Sequence, residues 1–516
     1  MKIEIKHKYL VFPVNTFCPQ IQHRFFYEGD LFCRLNIKID KENPSFTAYV
    51  DMSAYLGKVI DLELPEGAET VFEQADTMDL PNLYKEDYRP AVHFTTKNGW
   101  TNDPNGLIYL NGEYHMFFQH NPCEAKWNNM SWGHAVSRDL IHWNELDVAM
   151  WPDKYGEMFS GCAFIDEHNL TGLQEGDEPP VLLYYTATNP IIQRLAYSTD
   201  GLKTIKKHDK PMVPLITDGN RDPAVVYCED IGCYIMALYL EQDIFGILTS
   251  SDLMNWELLQ RFHFPGDYEC PDIFTMYTKE GERKWVIMGA RNRYMVGEMT
   301  KEGFVPSQEA MSLGYSGTNY AGHSFYNMPG DRRVRIDWDR WNIPTLKLNG
   351  QMSVPNELTL EKHGDIYYLC SNPIAEFESL YDSTRVFANI KLTKDSGYEI
   401  AAKPGAYLMK MSCEPTDAII EMNVFGSVFT FDFKENVVKF AGERTIPMTV
   451  LSDKLDLTLI VDRFSAELYL DGGKAITGIV DPAVSINYDL SKIILSADSD
   501  AVIDKLRITS LKSIWE

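Results

Sequence analysis

Three carboxylates in this chain hold matching places in a repeated stretch of sequence. Asp103 lies in NGWTNDPNG (98–106), Asp222 in RDP (221–223), and Glu269 in ECPD (269–272), just ahead of the equivalent slot. An acid in a lone Asp-Pro turn ordinarily caps a loop by accepting backbone N–H groups. Three acids in register across repeats point instead to one shared pocket. Carboxylates crowded together repel, so at least one should hold its proton to higher pH. A neutral acid beside an anionic carboxylate is the pair that glycoside cleavage requires: one protonates the departing oxygen while the other attacks the anomeric carbon. Around these acids stand Trp100, Trp127, Trp132 and Phe159, whose flat rings suit the C–H face of a sugar. Asn102, Gln119 and Arg221 offer hydrogen bonds to hydroxyls. Any one of these aromatics serves equally well as core. Trp127 is the strongest candidate for contact, because WNNMSWGH is polar around it and reads as a loop.

The elements that must position these groups are strands. Runs such as GLIYLNGEYHMFFQH, PPVLLYYTA and KWVIMGA are short, β-prone and punctuated by Gly, Asn, Asp and Pro, while long amphipathic helical patterns are scarce. An internal repeat organises them. Asp-Pro, a strand ending in Tyr109, a turn at Asn111-Gly112 and then Tyr114-His115-Met116 are echoed from Arg221 through Tyr234-Ile235-Met236, and again from Cys270 through Trp285 to Met288. A second echo follows each hairpin: SRDLIHW (137–143), SSDLMNW (250–256) and, more weakly, YSTDGLK (197–203). With further starts at FSGCAFID (from Phe159) and AGHSFYN (from Ala321), units recur about every 50–60 residues, the length of a four-stranded blade. The fold expected is therefore all-β: a five-bladed β-propeller over 86–358, a linker or closing strand at 359–372, and a β-sandwich over 373–516. A small β-rich extension at 1–85 precedes them. A plain sandwich with chance echoes is the alternative.

Composition narrows the function. The 516 residues carry 48 basic and 74 acidic side chains, a net charge of −26, which repels nucleic acid. Nine cysteines at irregular spacing include no C-x-x-C pair, arguing against a disulfide framework, zinc or redox chemistry. MKIEIKHKYLVFPV has no apolar run long enough for a secretory signal, and no later stretch has the length of a membrane span. A reduced, cytoplasmic setting is the expectation, with a processed secreted form as the alternative.

The ordered set NGWTNDPNG, FFQHNP, WNNMSWGHAVSRDLIHW, FSG, RDP, ECPD and AGHSFYN followed by GQMSVPNELTL resembles glycoside hydrolase family 32, the invertases, inulinases and levanases, most closely over about 90–375. The resemblance implies Asp103 as nucleophile, Glu269 as acid/base and Asp222 as transition-state stabiliser. It places Asn102, Gln119, Trp127, Phe159, Ser160 and Arg221 around the fructose pocket, and implies retention of configuration with no cofactor or metal. Thr101 replaces the family's usual Met, a mild change expected at the pocket edge. Tyr315 replaces the Asp of an Asp-x-Gly motif found in many sucrose-cleaving members. The implied substrate is a fructose-containing oligo- or polysaccharide, with exo-acting fructan hydrolysis favoured. Sucrose or sucrose phosphate hydrolysis, fructosyl transfer and a non-catalytic fructan-binding protein are the alternatives.

Overall fold

The computed structural model describes residues 1–315, 318–343, 346–402, 405–414, 416–440, 444–448, 454–463, 465–480 and 492–516. Among these, the helical pieces are short 3₁₀ turns such as Ala375–Leu380, and none is long and apolar enough to cross a membrane.

The chain opens with two small antiparallel sheets. One orders Lys2–Glu4, Val59–Glu63, Ile21–Tyr27 and Asp30–Ile37, and the other orders Phe46–Asp51, Tyr9–Val14 and Glu73–Ala75. Alternation along Asp30–Ile37 turns Cys33, Leu35 and Ile37 inward, where they meet Phe12, Phe25 and Val50 in a core that Cys123 of the first meander also joins.

Five antiparallel meanders follow. Their first strands are Gly99–Leu110, Met158–Ile165, Arg221–Cys228, Asp272–Tyr277 and Asn319–Ser324. Each first strand touches the next, and the fifth touches the first, which is the radial arrangement of β-propeller blades. Gly99–Leu110 is buried along nearly its whole length because neighbours cover both its faces, whereas Glu257–His263, at the outer edge of the third sheet, is largely exposed. Asn111 and Gly112 take positive φ (51° and 87°) at the hairpin that joins Gly99–Leu110 to Glu113–Asn121, the chirality a two-residue β-turn needs. The Ser-x-Asp echoes are one turn used three times. Asp139, Asp200 and Asp252 each accept backbone N–H groups two to four residues on, while Leu140, Leu202 and Leu253 sit at φ 63–66°.

Residues 359–372 are not a linker. They lie in Asn356–His363 and Ile366–Pro373, the last two strands of the fifth meander, and the Gly364-Asp365 punctuation is their hairpin. Leu348–Asn349 pairs in parallel with Gly99–Trp100, tying the end of the ring to its beginning.

After Ala375–Leu380 the chain builds two six-stranded sheets. Met409, Met422, Phe429, Leu459, Leu495 and Ile503 pack between them as the core of a sandwich. A buried polar cluster joins sandwich to ring: His93 Nδ1 lies 2.8 Å from Asp462 Oδ2 and its Nε2 lies 3.3 Å from Glu467 Oε1. Burial alone would lower the His93 pKa, but these two carboxylates overcome it and carry it up to about 10.

Candidate active site

The catalytic candidates sit where the first strands depart from regular pairing. Register shifts fall between Thr101 and Pro104, Phe159 and Gly161, Arg221 and Ala224, and Tyr320 and His323. A bulge re-aims the side chain it carries, so equivalent bulges in successive sheets turn Asp103, Ser160 and Asp222 toward one hollow. The fourth sheet reaches the same place by the turn ahead of Asp272–Tyr277. There Glu269 and Cys270 hold φ of 60° and 40°, and Asp222 holds 63°. Such left-handed conformations at non-glycine residues cost energy and recur where function fixes a side chain. Gly161 permits the second bulge, since a Cβ there would lie 1.9 Å from the Tyr184 carbonyl oxygen.

Two of the three acids meet at one thiol. Cys270 Sγ lies 3.5 Å from Asp103 Oδ2 and 3.4 Å from Asp222 Oδ2, and its backbone N–H donates to Asp222 Oδ2 at 3.1 Å. Arg221 supplies the link to the third: its guanidinium donates to Glu269 Oε1 at 2.7 Å and lies 3.7 Å from Asp222 Oδ2, stacked over the Tyr239 ring. Burial raises the Asp222 pKa most. Arg221 opposes the rise, the Glu269 and Asp103 charges add to it, and the value reaches about 7.

The other expected residues divide in two. Asn102 and Ser160 spend their donors on Asp103: Asn102 Nδ2 reaches Oδ1 at 3.1 Å and Ser160 Oγ reaches Oδ2 at 2.6 Å. Trp100 Nε1 in turn donates to Asn102 Oδ1 at 2.8 Å. These groups orient the carboxylate. Gln119 remains open to a ligand, for its buried Nε2 finds no partner among the described residues. Trp127 is 52% exposed and meets Phe159 edge-on at 6.1 Å, forming an aromatic wall. Trp132 is core. Thr101 is not at the pocket edge; its side chain is buried and donates to the Gln119 carbonyl oxygen. Tyr315 donates to the Ser312 carbonyl oxygen and packs against the sandwich.

Two groups go beyond the sequence reading. The Tyr320 hydroxyl donates to Glu269 Oε2, and Thr186 Oγ1 accepts the Asp222 backbone N–H at 2.9 Å. Tyr320 directly precedes the fifth repeat start, a position that could have marked it; Thr186 lies on a second strand, and no motif signals it. A cavity of about 720 Å³ is lined by Gly106, Gly161, Ala224, Asp272 and His323. Those positions lie further along the same first strands, and none of the three acids lines that cavity. An unpartnered amide donor on Gln119, an aromatic wall and clustered carboxylates suit acid/base and nucleophilic attack on a polyhydroxylated substrate.

Residues 93–373 match the family model described as "Glycosyl hydrolases family 32 N-terminal domain". A levanase of Bacillus subtilis is 29% identical over 86% of this chain and 73% of its own length. An extracellular exo-inulinase of Aspergillus niger is 31% identical over 62% of this chain and 71% of its own. The crystal structure of exo-inulinase from Aspergillus awamori superposes with a TM-score of 0.74 at 24% identity, covering 84% of this chain and 100% of the other, which shows a shared fold.

Proposed function

The chain belongs to glycoside hydrolase family 32 and is a β-fructosidase, and we propose that it removes terminal fructose from fructans or fructo-oligosaccharides with retention of configuration. Asp103 attacks C2 of the terminal fructosyl unit while Glu269 gives its proton to the glycosidic oxygen, and the shortened chain leaves. Glu269, now a carboxylate, takes a proton from water. The resulting oxygen attacks C2, breaks the ester to Asp103 and frees fructose. Asp222 accepts hydroxyl hydrogen bonds from the ring and offsets positive charge developing there.

The observation that carries this reading is the Cys270 thiol touching both Asp103 and Asp222 while Arg221 spans Glu269 and Asp222. Tyr315 favours fructan over sucrose. Where an acid would grip glucose, the chain has a phenol turned into the sandwich contact. Initial rates on sucrose, inulin and levan test the substrate, with early products separated by chromatography. Fructose as the sole early product from inulin or levan, at rates matching or exceeding sucrose, is expected. A strong preference for sucrose supports an invertase instead, and binding without fructose release would reduce the protein to a fructan-binding scaffold.

A further inference from the structure

The N-terminal sheets take no part in the chemistry, yet they are built onto the loop that bears Trp127. The Asn129 side chain pairs both ways with the backbone of Asn36: Nδ2 donates to the carbonyl oxygen at 2.9 Å and Oδ1 accepts the N–H at 2.7 Å. Lys38 Nζ donates to Glu124 Oε2 at 2.9 Å, and both side chains are largely buried. Cys123 is a member of the N-terminal apolar core. Residues 123–129, which flank Trp127, therefore rest on the extension through an amide pair, an ion pair and apolar contact.

The same extension carries an unusual side chain to the rim. Phe17 is 90% exposed, the most exposed large apolar residue among those described, and it sits at the tip of the turn joining Tyr9–Val14 to Ile21–Tyr27. That turn is held rigid. Asn15 Oδ1 accepts the Phe17 N–H at 3.1 Å, Asn15 Nδ2 donates to Asp40 Oδ2 at 3.0 Å, and Lys38 Nζ donates to the Thr16 carbonyl oxygen at 3.3 Å. Lys38 thus ties the turn and Glu124 together. Lys126 Nζ lies 5.9 Å from the Phe17 ring centroid, and Lys126 is the chain neighbour of Trp127. A scattered exposed aromatic needs no explanation, but one fixed on a braced turn beside the sugar wall does.

We propose that Phe17 and Lys126 form an outer sugar platform, contributed by the N-terminal extension, for fructosyl units on the leaving-group side of the bond cleaved. The proposal rests on the β-fructosidase reading. A chain whose terminal unit reaches Asp103 leaves the hollow over the Trp127 rim. A furanose unit beyond that rim can lay its C–H face on Phe17 and accept hydrogen bonds from the Lys126 ammonium. Sucrose is too short to use the platform fully; a polymer is not.

The test compares wild type, Phe17→Ala and Phe17→Trp on sucrose and on long-chain inulin or levan, separating kcat from KM. For Phe17→Ala, the polymer-to-sucrose ratio of kcat/KM is expected to fall about three- to tenfold, through the polymer KM, and Phe17→Trp should restore it. A ratio unchanged in Phe17→Ala, or a loss confined to kcat and equal on both substrates, overturns the platform. Wild type that frees no fructose from any of the three would instead overturn the β-fructosidase reading, a failure visible before any variant is made.

Discussion

Ionising Asp222 is costly chiefly because it is buried; two neighbouring carboxylates add to the cost, and Arg221 and the Cys270 N–H oppose it. Its folded pKa of about 7 stands above the ordinary value of about 3.9. The neutral form's contribution to stability is therefore complete below about pH 3.9 and is lost as pH rises through about 7. Asp222→Asn should accordingly be more stable than wild type at pH 8, by about 1–3 kcal/mol, with the gain vanishing near pH 4. Thermal melts of both proteins at the two pH values decide it, and a larger gain at pH 4 contradicts the account. Asp103→Asn should cut kcat by more than about a thousandfold with an unchanged melting temperature; retained turnover removes Asp103 from the nucleophile's role. The three acids were legible in the sequence because they repeat in register. What their neighbours do was less so: spacing places Asn102 and Ser160 near Asp103 but cannot tell whether their donors face a sugar or, as here, the carboxylate itself. Tyr320 and Thr186 act from other sheets, so their partners follow only from how the sheets meet.

At the scale of elements, the bulges make the hollow. Without them a first strand would alternate its side chains between its two covered faces, and neither Asp103 nor Asp222 would turn toward the axis. Gly161→Ala tests this directly. The added methyl must displace the Tyr184 carbonyl or the bulge, costing about 1–3 kcal/mol and moving Ser160 off Asp103. Urea denaturation and kcat, measured together, should both fall, and an unaltered midpoint would show that the bulge accommodates a side chain. Hairpins were readable where turn chemistry is explicit, as at Asn111-Gly112. The same chemistry misleads at Gly364-Asp365, since a glycine between two short alternating runs marks a hairpin and a linker alike. Only pairing distinguishes them, and pairing depends on residues far along the chain.

Across the whole molecule, the polar contact at His93 holds ring and sandwich together. Its pKa is raised from about 6.5 to about 10, so its stabilisation is complete below about pH 6.5 and is lost as pH climbs through 10. His93→Gln leaves Asp462 and Glu467 buried without their cation and should cost about 3–5 kcal/mol at pH 7. Differential scanning calorimetry should show that penalty shrinking toward pH 10, and a pH-independent difference would argue for packing alone. The pairing of Leu348–Asn349 with Gly99–Trp100 has a different kind of consequence, one in time. It joins strands some 250 residues apart, a contact whose loop entropy must be spent before any reward arrives, and chains dominated by such contacts fold slowly. While that seam is open, the first and fifth sheets, which bear Asp103 and Tyr320, are not tied to each other by this pairing. Activity should therefore return in a slow phase of refolding, together with the late change in tryptophan fluorescence that Trp100 reports from the seam, and activity that returns with the first strand signal would show that ring closure is not the late step.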